Sequence, residues 1–140
     1  MVATTSGNGH SRHYDLPEPN PDLTAEQVVQ IVLEALQHND DPCVDCGIRT
    51  TFNFASPANR AVTGPLPRFI EMVRNPLYVP LLNFDRVELD PITVEEGHAE
   101  QHIRVFDEEG GSASYVFMLS KQPGPAWKDC WMTDGVVRIE

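Results

Sequence analysis

Apolar residues recur at helical spacing near the start of the chain. Valine, isoleucine and leucine side chains return every three or four residues and form one stripe in DLTAEQVVQIVLEALQHND. Thr24 is placed to cap the start of a helix, with Gln27 completing a capping box and Asp22 as an alternative cap. Because Pro42 cannot continue a helix, the pattern predicts one amphipathic helix that ends before it.

Two shorter helical patterns follow. The segment CVDCGIRTTFNFAS predicts a short helix or turn, which would direct Ile48, Phe52 and Phe54 inward. The next stretch is rich in turn-forming residues and predicts a loop, SPANRAVTGPLP. A second helix is predicted by PLPRFIEMVRNPLY, since Pro67 suits a first turn and the residues after it supply an apolar face.

The second half of the chain changes to the alternation that is typical of strands. Two alternating runs are present in HAEQHIRVFDEEGGSASYVFMLS. They are joined by DEEGG, whose glycines tolerate the positive φ angles of a tight hairpin. The alternation is broken in YVPLLNFDRVELDPITVEEG, and a loop and a final strand follow in KQPGPAWKDCWMTDGVVRIE. Strands with short connections pair antiparallel. The order predicts an α+β fold, with helices on one face of an antiparallel sheet.

The length and the charge limit the organisation and the partners. A chain of 140 residues fits one domain, and we expect a disordered polar leader at residues 1–20 and a single domain at residues 21–140. The net charge of −11 repels the phosphates of nucleic acids and the anionic headgroups of membranes. We therefore expect no nucleic acid and no membrane as partner, whereas a basic protein partner stays open.

The cysteines and the N-terminal residues indicate the compartment. The chain has three cysteines, and an odd number argues against the fully paired framework of a small secreted protein. The first residues lack the apolar core of a secretory signal, and no stretch reaches the roughly 20 apolar residues of a membrane helix. These features predict a cytoplasmic protein.

Several segments in this order resemble one superfamily. They are the loop FNFASPANRAVTG, the helix FIEMVRNPLYVPLL with its exit, the hairpin EQHIRVFDEEGGSASYVFMLS and the closing CWMTDGVVRIE. Together they resemble the nuclear-transport-factor-2-like (NTF2-like) superfamily over about residues 23 to 140 and, more narrowly, a family of uncharacterised domains within it. Such sequences occur in bacteria and photosynthetic organisms, so the resemblance implies a plastid location if the source is a photosynthetic eukaryote.

The resemblance implies a cone-shaped fold. N-terminal helices would lie in the concave face of a strongly curved antiparallel sheet, with a pocket at the open end. Dimerisation through the sheet is common in that superfamily, so the resemblance also implies a homodimer. Its members include isomerases, dehydratases, ligand binders, transport adaptors and accessory domains, and the fold therefore leaves the function open.

Cys43 and Cys46 form a C-x-x-C motif, which occurs in redox pairs and in zinc sites. Thioredoxin-type proteins place the motif in a βαβ context, whereas here a helix precedes it. A zinc site needs four ligands, for which only Cys130 and scattered histidines remain. We interpret both residues as structural thiols, with a metal or redox role as the alternative.

The strand that contains Gln101 has two faces. Gln101, Ile103 and Val105 share the face that we expect to be buried, where a glutamine needs hydrogen-bond partners. Gln101 is interpreted either as a ligand-binding residue or as a residue at the wet end of the sheet. His98 and His102 lie on the opposite face, which we expect to be exposed to water.

Aromatic residues are the candidates for an apolar cavity. Phe54, Tyr78, Tyr115 and Trp131 are candidates for a ligand-binding set with Gln101, because small-molecule sites are mostly apolar with few polar groups. The same side chains are also typical of an ordinary core, which is the interpretation that we favour. The choice depends on whether the cone is open or filled.

Three residues are candidates for catalysis. Isomerases of the superfamily that this chain resembles use a pocket carboxylate as general base and polar donors that hold an oxyanion. The residue types that such chemistry requires are present as Asp134, His102 and Tyr78. Asp134 is followed by Gly135, and this pair is also typical of a turn or a β-bulge.

The residues together favour a non-enzymatic domain that binds another protein or a small apolar molecule, without a cofactor. The first alternative is an enzyme of the isomerase or dehydratase type, with a carboxylate or histidine in the cone. The second alternative is a thiol or metal protein centred on Cys43 and Cys46.

Overall fold

The computed structural model describes residues 15–140. Most of the predicted leader at residues 1–20 lies outside the described residues, and the domain boundary at residue 21 stays a prediction. Residues 15–20 form neither helix nor strand, and the carbonyl oxygen of Pro17 accepts a hydrogen bond from the side-chain amide of Asn53 at 3.2 Å. This contact holds the start of the described chain against the end of a helix.

The first predicted helix is confirmed as α1, Ala25–Gln37. Its capping box is also confirmed. The hydroxyl of Thr24 accepts a hydrogen bond from the backbone N–H of Gln27 at 3.1 Å, and the side chain of Gln27 accepts one from the backbone N–H of Thr24 at 2.8 Å. The short helix predicted next is α2, Cys46–Asn53, with Ile48 and Phe54 fully buried.

The stretch that was expected to be a loop contains a helix, α3, Pro57–Thr63. The hydroxyl of Ser56 accepts a hydrogen bond from the backbone N–H of Asn59 at 3.2 Å. Pro57 occupies the first turn, where its missing N–H leaves no bond unmade. The loop prediction is wrong because Ser56 and Pro57 start a helix, and the glycine and prolines after it only end that helix. The second predicted helix is confirmed as α4, Leu66–Val73, and a 3₁₀ turn follows at Val79–Leu81.

The described residues form an antiparallel sheet of five strands. They are β1 Arg86–Leu89, β2 Thr93–Glu95, β3 His98–Phe106, β4 Ser112–Lys121 and β5 Trp131–Arg138. The strands lie in the order β1-β3-β4-β5, and β2 also pairs with β3. The predicted hairpin is confirmed as β3 and β4, and the broken alternation before it becomes the 3₁₀ turn and two short strands.

The core lies between the helices and the concave face of the sheet. Ile103 and Val105 are buried and His98 and His102 are exposed, which confirms the predicted alternation of β3. Val28, Val32 and Leu36 of the predicted stripe of α1 are buried, whereas Ile31 is only partly buried, and the helix contacts β4 and β5. The chain is therefore an α+β domain with its helices packed against a curved, unclosed sheet, as predicted. None of the described helices is long and apolar enough to cross a membrane.

Helices α1 and α2 approach each other closely at Gly47. A Cβ atom on Gly47 would lie 2.2 Å from the carbonyl oxygen of Ala35, so only glycine lets α1 and α2 approach this closely. The buried side chain of Asn39 accepts a hydrogen bond from the first turn of α2 at 2.9 Å and donates one to Asp45 at 2.9 Å. Asp45 also pairs with Arg74, which links this contact to the end of α4.

Candidate functional site

A cavity of about 380 Å³ lies between α3 and α4 on one side and β5 on the other. Its wall is mostly apolar and includes Phe69, Met72, Val73, Phe117 and Val136. Val62 and Val137 line it and are also exposed, so the cavity opens to solvent beside them.

The cavity exists because the α2–α3 connection is attached to one residue of β5. The backbone N–H of Thr133 donates to the carbonyl oxygen of Phe54 at 2.7 Å, and the carbonyl oxygen of Thr133 accepts from the N–H of Ser56 at 2.8 Å. The side-chain amide of Asn59 donates to the same carbonyl oxygen at 3.1 Å. These bonds fix α3 beside the strand edge and leave α4 to close the other wall.

A β-bulge shapes the wall opposite the helices. Thr133 pairs with Leu119 of β4, whereas Gly135 pairs with Met118, so Asp134 is an extra residue in the ladder. Asp134–Gly135 was interpreted as a turn or as a bulge, and the bulge is confirmed. Bulges often redirect a side chain at a functional site, and Asp134 is exposed and lines the cavity.

One polar group of the wall has no partner. The hydroxyl of Thr133 is buried and forms no hydrogen bond with any described residue, and the whole residue is 3% exposed. The other hydroxyls of the wall are bonded. Thr51 donates to Gly47 at 2.9 Å, Thr63 to Asn59 at 2.9 Å, and Tyr78 to the carbonyl oxygen of Val136 at 2.9 Å. An unpaired buried hydroxyl costs about 1–3 kcal/mol, so Thr133 stands out among these side chains.

Two of the sequence-predicted residues, Asp134 and Tyr78, line this cavity together. Phe54 and Tyr115 instead belong to the filled core, with no exposed surface, and Trp131 is also buried there. The hydroxyl of Tyr115 donates to the carbonyl oxygen of Leu77 at 2.7 Å, and burial raises its pKa against the smaller opposing effect of Arg138. The predicted ligand-binding set is thus split between the cavity and the core.

Gln101 is buried away from the cavity. Its amide nitrogen donates to the carbonyl oxygen of Asp90 at 2.8 Å, and its amide oxygen has no partner among the described residues. Of the two polar groups of this side chain, only the nitrogen therefore has a partner among the described residues. Its position on the core-facing side of β3 agrees with the sequence, but it joins the loop after β1 to the sheet instead of facing a ligand cavity.

His102 does not reach the cavity that holds Asp134 and Tyr78. It lies on the exposed face of β3, beside Glu88, Asp90 and Arg104. The expectation of a solvated face for His102 is confirmed, and the structure does not assemble the predicted catalytic set of three. The physical reason is the alternation of β3, which points its odd-numbered residues to the core and its even-numbered residues to water.

Cys43 and Cys46 are joined by a disulfide bond. This bond corrects the interpretation of both residues as structural thiols. Cys46 is the first residue of α2 and is buried, whereas Cys43 is half-buried. Bonded sulfurs do not supply the thiolates that zinc requires, and the described residues hold no cluster of three metal-binding side chains. A thiol–disulfide role of this pair stays a prediction.

Arg60 is near the cavity but is already engaged. Its guanidinium donates to the carbonyl oxygens of Ala55 at 3.1 Å and Asn53 at 2.8 Å, and it lies 5.0 Å from the ring centre of Phe52. Burial lowers the pKa of Arg60, although an arginine side chain stays charged. No described lysine, arginine or histidine lines the cavity.

Three residues of the cavity wall, Asn59, Val62 and Thr133, were not among the candidates from the sequence. Val62 and Asn59 lie on α3, which was predicted as a loop, and Thr133 was passed over between Trp131 and Asp134. The serine–proline pair at residues 56–57 would have revealed α3. Nothing local marks Thr133, because its missing partner depends on where α3 and the bulge lie.

The fold and the cavity define an α+β domain with an apolar pocket at one edge of its sheet. Within that class, the chain belongs to the family described as a domain of unknown function (DUF4864), whose model matches residues 19–133. The prediction that the chain belongs to an uncharacterised family is thus confirmed. No curated protein and no solved structure matches the chain.

We expect the native, unreduced protein to show no reactive thiol. Cys43 and Cys46 are bonded, and burial, with a smaller effect of Asp129, raises the pKa of Cys130 and keeps that thiol protonated. Alkylation with iodoacetamide at neutral pH, read by mass spectrometry, should give no adduct in the native protein, one after denaturation and three after denaturation with reduction. Rapid labelling of native Cys43 and Cys46 would contradict the disulfide.

We expect Thr133→Val to leave the free energy of unfolding unchanged or to raise it by up to about 1 kcal/mol, because a methyl group replaces an unpaired hydroxyl of the same shape. Thr51→Val is the matched control, since the buried hydroxyl of Thr51 is bonded to Gly47. That variant should lose about 1 kcal/mol. Urea denaturation compares the two, and equal losses would show that the hydroxyl of Thr133 has a partner after all.

Proposed function

We propose that this protein binds a small, largely apolar molecule in the cavity between α3, α4 and β5. The observation that carries the proposal is the cavity itself, whose volume of about 380 Å³ lies within the range of small-molecule sites. Its apolar wall favours an apolar body, because burial of such a surface is the dominant favourable term in binding.

The construction of the wall supports a site that is formed before a ligand arrives. Thr133 is held from both sides by backbone hydrogen bonds to Phe54 and Ser56, and Tyr78 is bonded to Val136 across the cavity edge. A preformed site loses less conformational entropy on binding than a flexible one. The α2–α3 connection therefore supports binding without a large rearrangement.

The relationship to the NTF2-like superfamily is also a proposal. It is supported by the order of helices before strands, by the packing of the helices against the curved sheet and by the cavity at one edge. Homodimerisation through the sheet is supported by Val116 and Met118, which are partly exposed and alternate with the buried residues of β4. A cytoplasmic location and a protein partner stay predictions.

A second candidate function is catalysis of proton transfer next to a carbonyl group. The observation that favours it is the placement of Asp134 and Tyr78 in the wall of the same cavity. In this proposal Asp134 is the general base, since a β-bulge places its carboxylate at the opening. Tyr78 would have to turn its hydroxyl away from Val136 to stabilise an oxyanion.

The second candidate is tested by hydrogen exchange in a bound ketone. We expect the protein in D₂O to accelerate loss of the proton signals next to the carbonyl of 2-octanone, measured by NMR against buffer alone. Asp134→Asn should return the rate to the buffer value, since an amide is not a base. A rate equal to that of buffer in the wild-type protein would leave binding as the function.

The proposed binding is tested by blocking the cavity from α3. Ala58 and Ala61 are both exposed on this helix, but only Ala58 lines the cavity. We expect the neutral probe N-phenyl-1-naphthylamine to bind with increased fluorescence. Ala58→Phe should weaken its binding at least tenfold, because the ring occupies the opening, and Ala61→Phe should bind as the wild type does.

Two outcomes would contradict the binding proposal. One is the absence of saturable fluorescence with the wild-type protein, since an apolar cavity of this size should accept the probe. The other is an equal loss of binding in Ala58→Phe and Ala61→Phe, which would place the probe on the surface of α3 instead of in the cavity. Thermal unfolding of both variants establishes that each is folded before the comparison is made.

A further inference from the structure

We infer that the molecule bound in this cavity is uncharged and carries a hydroxyl or carbonyl group, which forms a hydrogen bond with Thr133. The inference rests on the proposed binding function and adds the chemical class of the ligand. Its starting point is the hydroxyl of Thr133, which is buried and without a partner among the described residues, on a side chain that lines the cavity.

The hydroxyl of Thr133 is buried in the wall of the cavity, so a ligand reaches it when the side chain turns about χ1 toward the cavity. Both backbone groups of the residue are bonded to the α2–α3 connection, so the backbone keeps its place while the side chain turns. The side-chain amide of Asn59 donates to the carbonyl oxygen of Thr133 at 3.1 Å and forms no hydrogen bond with its hydroxyl. A hydroxyl can both donate and accept, so an alcohol or a carbonyl group would satisfy it.

The charges around the cavity select against an anion. Asp134 is the one carboxylate in the wall, and it follows Thr133 directly in the bulge. Arg60 and Arg138 lie next to lining residues in the chain, but each donates to two backbone oxygens, and no described basic side chain lines the cavity. A carboxylate placed beside Thr133 would therefore lose water without gaining a cation, and it would face a like charge.

A series of naphthalenes that differ in one group tests this class. The compounds are 2-methylnaphthalene, 2-naphthalenemethanol and 2-naphthoate, each measured by displacement of N-phenyl-1-naphthylamine from the protein. We expect the alcohol to bind about three- to tenfold more tightly than the methyl compound, as one added hydrogen bond implies. The carboxylate should bind at least tenfold more weakly than the alcohol.

Variants of Thr133 assign the preference to its hydroxyl. In Thr133→Val the alcohol should bind no more tightly than the methyl compound, whereas Thr133→Ser keeps the hydroxyl and should keep the preference. Asp134→Asn should narrow the difference between the alcohol and the carboxylate, because the like charge is removed. These variants change one group each on a wall whose shape is nearly retained.

The outcomes separate the ligand class from the function. If none of the compounds displaces the probe and the probe itself does not bind, the proposed binding function fails. If all three bind equally well, the function stands and the inferred ligand class is wrong. If Thr133→Val weakens the methyl compound as much as the alcohol, the residue only shapes the wall, and the inference is likewise overturned.

Discussion

The attachment of the α2–α3 connection to Thr133 is the interaction on which the rest of the site depends. The backbone N–H of Thr133 donates a hydrogen bond to the carbonyl oxygen of Phe54. The carbonyl oxygen of Thr133 accepts hydrogen bonds from the N–H of Ser56 and the side-chain amide of Asn59. Helices and a sheet usually meet through side chains, which adjust to one another. Here backbone groups are joined directly, so the distance between α3 and β5 is fixed by hydrogen-bond length, and the space between them is not closed by side-chain repacking.

The same attachment explains why a polar group is left unsatisfied in an apolar wall. Thr133 is held by its backbone on one side and by the sheet on the other, and Asp134 is displaced from the ladder next to it. The unpaired hydroxyl lowers the stability of the free protein by an amount comparable to one lost hydrogen bond. Functional sites often lower the stability of the free protein in this way, because a polar group that is already paired within the protein cannot form a hydrogen bond with a ligand.

Two elements with local signals, α1 and β3, were predicted correctly from the sequence. The capping box at Thr24 and the alternation of β3 depend on neighbouring residues, and both are present as expected. The helix α3 was missed although its signal at Ser56 is local, because the prolines and glycine around it also fit a loop. A serine followed by a proline can therefore start a helix even within a proline-rich segment.

The candidate site was predicted only in part, because its composition depends on tertiary placement. Tyr78 and Asp134 were identified by residue type, and the structure brings both to the cavity. Tyr115 was correctly placed on the inner face of the sheet, but alternation does not tell a filled region from a hollow one. His102 as a base conflicted with its own strand, since a residue on the wet face of β3 does not reach the concave side.

The bulge and the attachment at Thr133 also affect how the protein behaves at high concentration. β5 is an edge strand, and edge strands offer unpaired backbone groups to strands of other molecules. In the middle of β5 those groups are already taken by the chain itself, and the bulge at Asp134 interrupts the regular row beside them. A foreign strand therefore finds no continuous template there, and the features that shape a pocket also protect this edge from aggregation.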